Sequence, residues 1–123
     1  GHIVFDAVDR DNPATASAAV IRLIRGEIGF AGLLMTDDLS MQALAGDIGQ
    51  RTAAAIAAGC DVALHCNGKR EEMELAVAAA GRLSPAAAAR ADAALARRSR
   101  PDDVDTVTLQ AELEALLKGA AHA

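Results

Sequence analysis

Apolar residues along this chain follow two rhythms. Short unbroken runs stand at Ile3-Val4-Phe5, at Leu33-Leu34-Met35 leading into Thr36, and from Val62 to Cys66, while the stretches between them carry apolar residues every third or fourth position. A run such as Leu33 to Thr36 is too short and too uniformly apolar for a strand with one wet face, so it predicts a central strand covered on both sides, as in a parallel sheet. The three runs recur about every 30 residues, the size of one βαβ step.

The intervals read as helices. The first starts near Thr15 or Ser17, with Val20, Ile21, Ile24 and Ile28 on a buried stripe and Arg22 and Arg25 on the wet side. The second runs from Ile48 to Ala58, where alanines allow close approach to the sheet and Gly59 supplies a left-handed stop. After the turn pair Asn67-Gly68, a third covers Glu71 to Leu83 and buries Met73 and Val77. Ser84-Pro85 then provides an N-cap and a first-turn proline for a helix from Ala86 to about Arg97. Beyond Pro101-Asp102-Asp103, a last amphipathic helix lines up Leu109, Leu113, Leu116 and Leu117 and turns Glu112 and Glu114 to water. Residues 1–100 are thus expected to form α/β units, and 101–123 a C-terminal helix lying on them.

Three strands make an uncomfortable parallel sheet, and a closed α/β barrel needs eight strands and about 250 residues. The chain has 123 residues. The pattern therefore leaves a small open sheet or the last three βα units of a (β/α)8 TIM barrel. Because the chain opens at Gly1, directly in front of a strand, part of a larger protein is expected to be missing. Unpaired apolar strand edges would then favour self-association.

Composition narrows the function classes. With 52% hydrophobic residues, two Phe and neither Trp nor Tyr, the core is aliphatic and offers little surface for stacking bases; the net charge of −5 also disfavours phosphate backbones, so no nucleic-acid partner is expected. No stretch reaches the roughly 20 apolar residues of a membrane span, and the start lacks a signal-peptide pattern, so a soluble cytoplasmic protein is expected. Cys60 and Cys66 would sit roughly 20 Å apart along one extended strand, too far for a disulfide, and are read as buried, unreactive thiols. His65 and His122 lack ligand-like spacing; neither a metal site nor a cofactor is predicted.

The chemistry concentrates in "GLLMTDDLSM", Gly32 to Met41, where two carboxylates, Asp37 and Asp38, end an apolar strand. The carboxyl ends of parallel strands are where α/β folds collect ligands and catalytic groups. One aspartate could simply cap the following segment. A Walker-B magnesium site would need a G-x-x-x-x-G-K-[ST] loop, which is absent. A phospho-accepting receiver domain would need its acceptor Asp at the third strand, where His65-Cys66-Asn67 stands instead. A carboxylate nucleophile needs a rigid, ionised Asp projected into a pocket.

The stretch "LIRGEIGFAGLLMTDDLSM", Leu23 to Met41, resembles the active-site signature of glycoside hydrolase family 3. Its elements stand at Leu23-Ile24, Arg25, Glu27, Gly32, Leu33-Leu34-Met35, Thr36 and Asp37. The "DDLSM" variant is similar to that of the bacterial β-N-acetylhexosaminidases of the family, as are "GHIVFDAVD…NPAT" upstream and "AAIAAGCDVALHCN" downstream. The resemblance implies a retaining (β/α)8 hydrolase that removes terminal β-linked N-acetylglucosamine from a muropeptide or saccharide in peptidoglycan recycling. It implies Asp37 as nucleophile and Asp38 as a residue fixing the loop. His2 and Met41 are its candidate substrate-binding residues, each with a packing role as the alternative. The "KHFPGHG"-like loop that carries the family's acid/base pair is missing here, so the chain alone is expected to be inactive. The competing reading is a small non-enzymatic, receiver-like α/β module that binds a ligand or partner at its strand ends.

Overall fold

The computed structural model describes residues 1–120; residues 121–123, and with them His122, lie outside the described residues. The order of elements is β1 (Val4–Phe5), β2 (Asp9–Pro13), a 3-10 turn at Ala14–Ala16, α1 (Ala18–Gly26), β3 (Met35–Asp38), α2 (Ile48–Ala58), β4 (Val62–Leu64), α3 (Arg70–Ala80), α4 (Pro85–Ala96) and α5 (Thr106–Ala120). The chain is α/β, and β3 and β4 pair in parallel across the helix α2.

The expected third parallel strand does not join them. β1 turns back instead onto β2 as an antiparallel hairpin. The turn closes through Val8 N–H donating to the Phe5 carbonyl at 2.8 Å. Asp9 fastens its far side, accepting from the backbone N–H groups of Asp11 and Asn12 at 3.2 Å and from the Ser17 hydroxyl at 2.6 Å. Those bonds, led by Ser17 and Asn12, hold the Asp9 carboxyl below its ordinary range. The described residues thus form two small sheets and no closed barrel.

A two-stranded sheet leaves apolar faces open. Leu33 and Leu34 are half-buried and Met35 is 54% exposed, so the strand expected to be covered on both sides is covered on one. The core lies between that sheet and the helices, built from Val20 and Ile21 of α1, Leu39, Leu44, Ile48, Ala55, Cys60 and Ala87. Helix ends follow the sequence where local chemistry decides them. Ser17 Oγ accepts from Val20 N–H, Ser84 caps Ala87, and Asp47 with Gln50 forms a reciprocal capping box on α2. Gly59 ends α2 at φ 112°, where a Cβ would also stand 3.0 Å from Ile21 Cγ2.

Other expectations give way to packing. α1 ends at Gly26, which leaves Ile28 outside the helix and exposed. α3 stops at Ala80, and its Met73 and Val77 face solvent because no neighbouring element covers that side. Leu109, Leu113, Leu116 and Leu117 of α5 likewise stand open. Cys66 is exposed, contrary to the expectation of two buried thiols, while Cys60 is buried; both are free.

Arg25, assigned to the wet side, is instead part of a buried clamp. Its guanidinium donates to the carbonyls of Phe30 and Gly32 at 2.9 and 2.6 Å and to Asp61 Oδ2 at 2.7 Å. Asp61, at the entrance to β4, also receives Arg90 of α4 at 2.6 and 2.9 Å and the Leu34 N–H at 2.9 Å. These donors, Arg90 foremost, bring the Asp61 carboxyl down to about 2. The clamp fixes α1 and α4 to the start of the parallel pair, so the opposite strand ends are presented rigidly.

Candidate active site

The geometry of the Asp37–Asp38 pair originates in a bulge. Between the paired positions Met35–Val62 and Asp38–Leu64, β3 takes three steps and β4 two. The extra residue breaks the ladder, and the buried Thr36 hydroxyl repairs it by accepting the Leu64 N–H at 2.9 Å. With Thr36 turned inward, Asp37 is turned outward, which is how a bulge re-aims a side chain beside a site.

The two carboxylates have different surroundings. Asp38 accepts three hydrogen bonds: Ser40 N–H at 2.9 Å, Ser40 Oγ–H at 2.5 Å and Cys66 N–H at 3.1 Å. The Ser40 bonds chiefly hold its carboxyl below the usual range, with smaller help from Cys66 and the nearby His65. A carboxylate so held is a poor proton donor and acts as a tie between the ends of β3 and β4. Asp37 Oδ1 accepts one bond, from the Asp38 N–H at 2.8 Å. Its Oδ2 meets no donor among the described residues and faces Gly1, where a Cβ would stand 4.0 Å away.

His2 lies against the same strand end. Its Nε2 donates to the Asp38 carbonyl at 2.9 Å, and its Nδ1 is 2.8 Å from the Thr15 hydroxyl. That hydroxyl also reaches the Gly1 carbonyl at 2.8 Å, so its single proton serves one or the other. With both ring nitrogens engaged, His2 pins the segment before β1 to the end of β3; a sugar contact would break one of these bonds. Met41 sits exposed on the following loop, its N–H donating to the Asp38 carbonyl at 3.3 Å. Arg51 of α2 gathers that loop by donating to the carbonyls of Leu39 and Met41 at 2.8 and 3.1 Å. Asp37, Asp38, His2 and Met41 thus meet at one strand end.

Sequence reasoning missed Thr15, Ser40, Arg51 and His65 at this site. Only Ser40 had a local signal, standing two residues after an Asp, as in an Asx turn. Among the described residues there is no grouping of three metal-ligating side chains, and no helix is long and apolar enough to cross a membrane. Chemically, the site offers one open, rigidly backed carboxylate oxygen. Among the described residues, none beside it is suited to donating a proton.

Comparison with known proteins places the chain in a family. The profile described as "Glycosyl hydrolase family 3 N terminal domain" matches residues 1–100. A β-hexosaminidase of Aromatoleum aromaticum is 38% identical over 112 residues, 89% of this chain and 30% of that protein. One from Pseudomonas aeruginosa is 40% identical over 84 residues, 67% of this chain and 25% of that protein. The solved structure of a glycoside hydrolase family 3 β-N-acetylglucosaminidase from Paenibacillus sp. str. FPU-7 superposes with a TM-score of 0.69 at 28% identity, covering 86% of this chain and 23% of that one. The chain therefore spans less than a third of the length of these relatives. Matched over most of its length, and carrying its two carboxylates at the end of a strand of that domain, the chain belongs to glycosyl hydrolase family 3.

Proposed function

We propose that this chain supplies C-terminal βα units, with the parallel pair β3–α2–β4 among them, of a (β/α)8 barrel in a retaining hydrolase that releases terminal β-linked N-acetylglucosamine, with Asp37 as its nucleophile. The observation that carries the reading is the bulge, which turns Asp37 out with Oδ2 open while Asp38 is held by three hydrogen bonds. In the reaction, Asp37 Oδ2 attacks the anomeric carbon as the bond to the leaving oxygen breaks, giving a glycosyl ester that water then hydrolyses. The leaving oxygen needs a proton from a donor outside this chain, because Asp38 is held ionised and His2 is engaged on both nitrogens. His2 and Asp38 serve to keep the nucleophile still, and Met41 walls the sugar site. The sugar comes from a muropeptide or saccharide in cytoplasmic peptidoglycan recycling, and the chain by itself is inactive. Its exposed apolar faces favour self-association or assembly with the missing strands.

The test is hydrolysis of an aryl N-acetyl-β-glucosaminide by the complete protein carrying Asp37→Asn or Asp38→Asn, with mass spectrometry of enzyme trapped by a 5-fluoro glycoside. Asp37→Asn should lower turnover by several orders of magnitude and abolish the label; Asp38→Asn should cost less. A label on Asp38, or near-normal turnover by Asp37→Asn, would sink the assignment.

A further inference from the structure

His65 is the buried polar group at this strand end that the mechanism leaves unused. Its side chain is 8% exposed. Both ring nitrogens are shut away from solvent without a hydrogen-bond partner. Glu72 Oε2, in the first turn of α3, lies 3.3 Å from Nε2, near enough for an ion pair but misaligned for a hydrogen bond, and is also held by Asn67 Nδ2. Lys69 Nζ lies 3.3 Å from the other Glu72 oxygen. His65 is also near enough to Asp38 to favour its charged form. The next residue, Cys66, gives its N–H to Asp38 Oδ1 at 3.1 Å.

A buried imidazole N–H without an acceptor is destabilising, because it has lost its water and gained no partner. Glu72 Oε2 is an acceptor within reach, and turning the ring onto it ties the end of β4 to the first turn of α3. We propose that His65 is a positioning residue: its ring docks on Glu72 and thereby sets the backbone at Cys66, whose N–H holds the Asp38 carboxylate and with it the Asp37 segment. Asn67 and Lys69 steady Glu72 from the far side. The consequence for turnover rests on Asp37 being the reactive carboxylate; the coupling itself does not.

NMR of this chain tests the coupling without any turnover. The readouts are hydrogen exchange at the Cys66 and Ser40 amides and the titration of the Asp38 carboxyl carbon. In His65→Val, Cys66 protection should fall on the order of tenfold, the equivalent of one hydrogen bond, and the Asp38 titration should move upward. His65→Gln, which keeps a donor for Glu72 but carries no charge, should restore the protection and leave the upward displacement. Should His65→Val fail to fold, Glu72→Leu, which leaves the ring in place and removes its acceptor, should show the same loss at Cys66. Unchanged Cys66 protection in both His65→Val and Glu72→Leu would overturn the proposal, as would an Asp38 titration unmoved by His65→Gln. Neither result bears on the Asp37 label, so the two failures are distinguishable.

Discussion

Replacing Asp61 by Asn removes a charge that two arginines and a backbone amide converge upon. The Asp61 side chain is 3% exposed, whereas Arg25 and Arg90 keep 23% and 29% of theirs in contact with solvent. Asn keeps the shape and still accepts at one oxygen, but turns an amide NH2 toward a guanidinium. Breaking one side of a fully buried pair costs about 3–5 kcal/mol. Because both arginines can regain some hydration, about 2–3 kcal/mol is expected here. Linkage gives a similar figure independently. A carboxyl held at about 2 in the fold, against 3.8 ordinarily, contributes roughly 2 kcal/mol. Since the folded value is the lower one, that contribution is complete above pH 4–5 and is lost as pH falls from there toward 2. Calorimetric and urea unfolding of the chain and of Asp61→Asn, at pH 7 and again near pH 3, measures both. At pH 7 the variant should melt about 10 °C lower, at roughly 4 °C per kcal/mol for a domain of this size, and the gap should narrow near pH 3. A displacement under about 2 °C at pH 7, or one that ignores pH, would refute the reasoning.

Three further outcomes follow from the same geometry. Gly59→Ala forces a Cβ into a left-handed residue and against Ile21, so it should destabilise the chain by about 1–2 kcal/mol in urea denaturation; an unchanged midpoint would remove the stated cause. Desolvation, followed by the nearby Asp38 carboxylate, pushes the Cys66 thiol above its ordinary value. Iodoacetamide should therefore label exposed Cys66 slowly at pH 7 and faster as pH rises, with Cys60 labelled only on unfolding; rapid labelling of Cys66 at pH 7, read by peptide mass spectrometry, would contradict this. The exposed apolar faces at Met35, Met73, Val77 and along α5 should drive association at tens of micromolar, and light scattering showing a strict monomer there would count against it.

Much of the fold is written locally. The caps at Ser17 and Ser84, the stop at Gly59 and the strands leading to Asp37-Asp38 and to Cys66 depend on groups within a few residues of one another, so spacing alone places them. The family signature is legible for the same reason, being continuous from Leu23 to Asp37. What the sequence left open depends on partners distant along the chain. Whether Ile3–Phe5 enters the parallel sheet was decided by a competing hairpin with Asp9–Pro13. Arg25 reads as solvent-facing on a helical wheel, and only its meeting with Asp61, 36 residues on, makes it part of a buried clamp. The division of labour between Asp37 and Asp38 likewise rests on a bulge that exists only once β4 is alongside, with Leu64 N–H on Thr36 and Cys66 N–H on Asp38. Periodicity reports how a segment meets an average environment. A buried charge or a broken ladder is settled by which donors the tertiary structure brings within 3 Å of it.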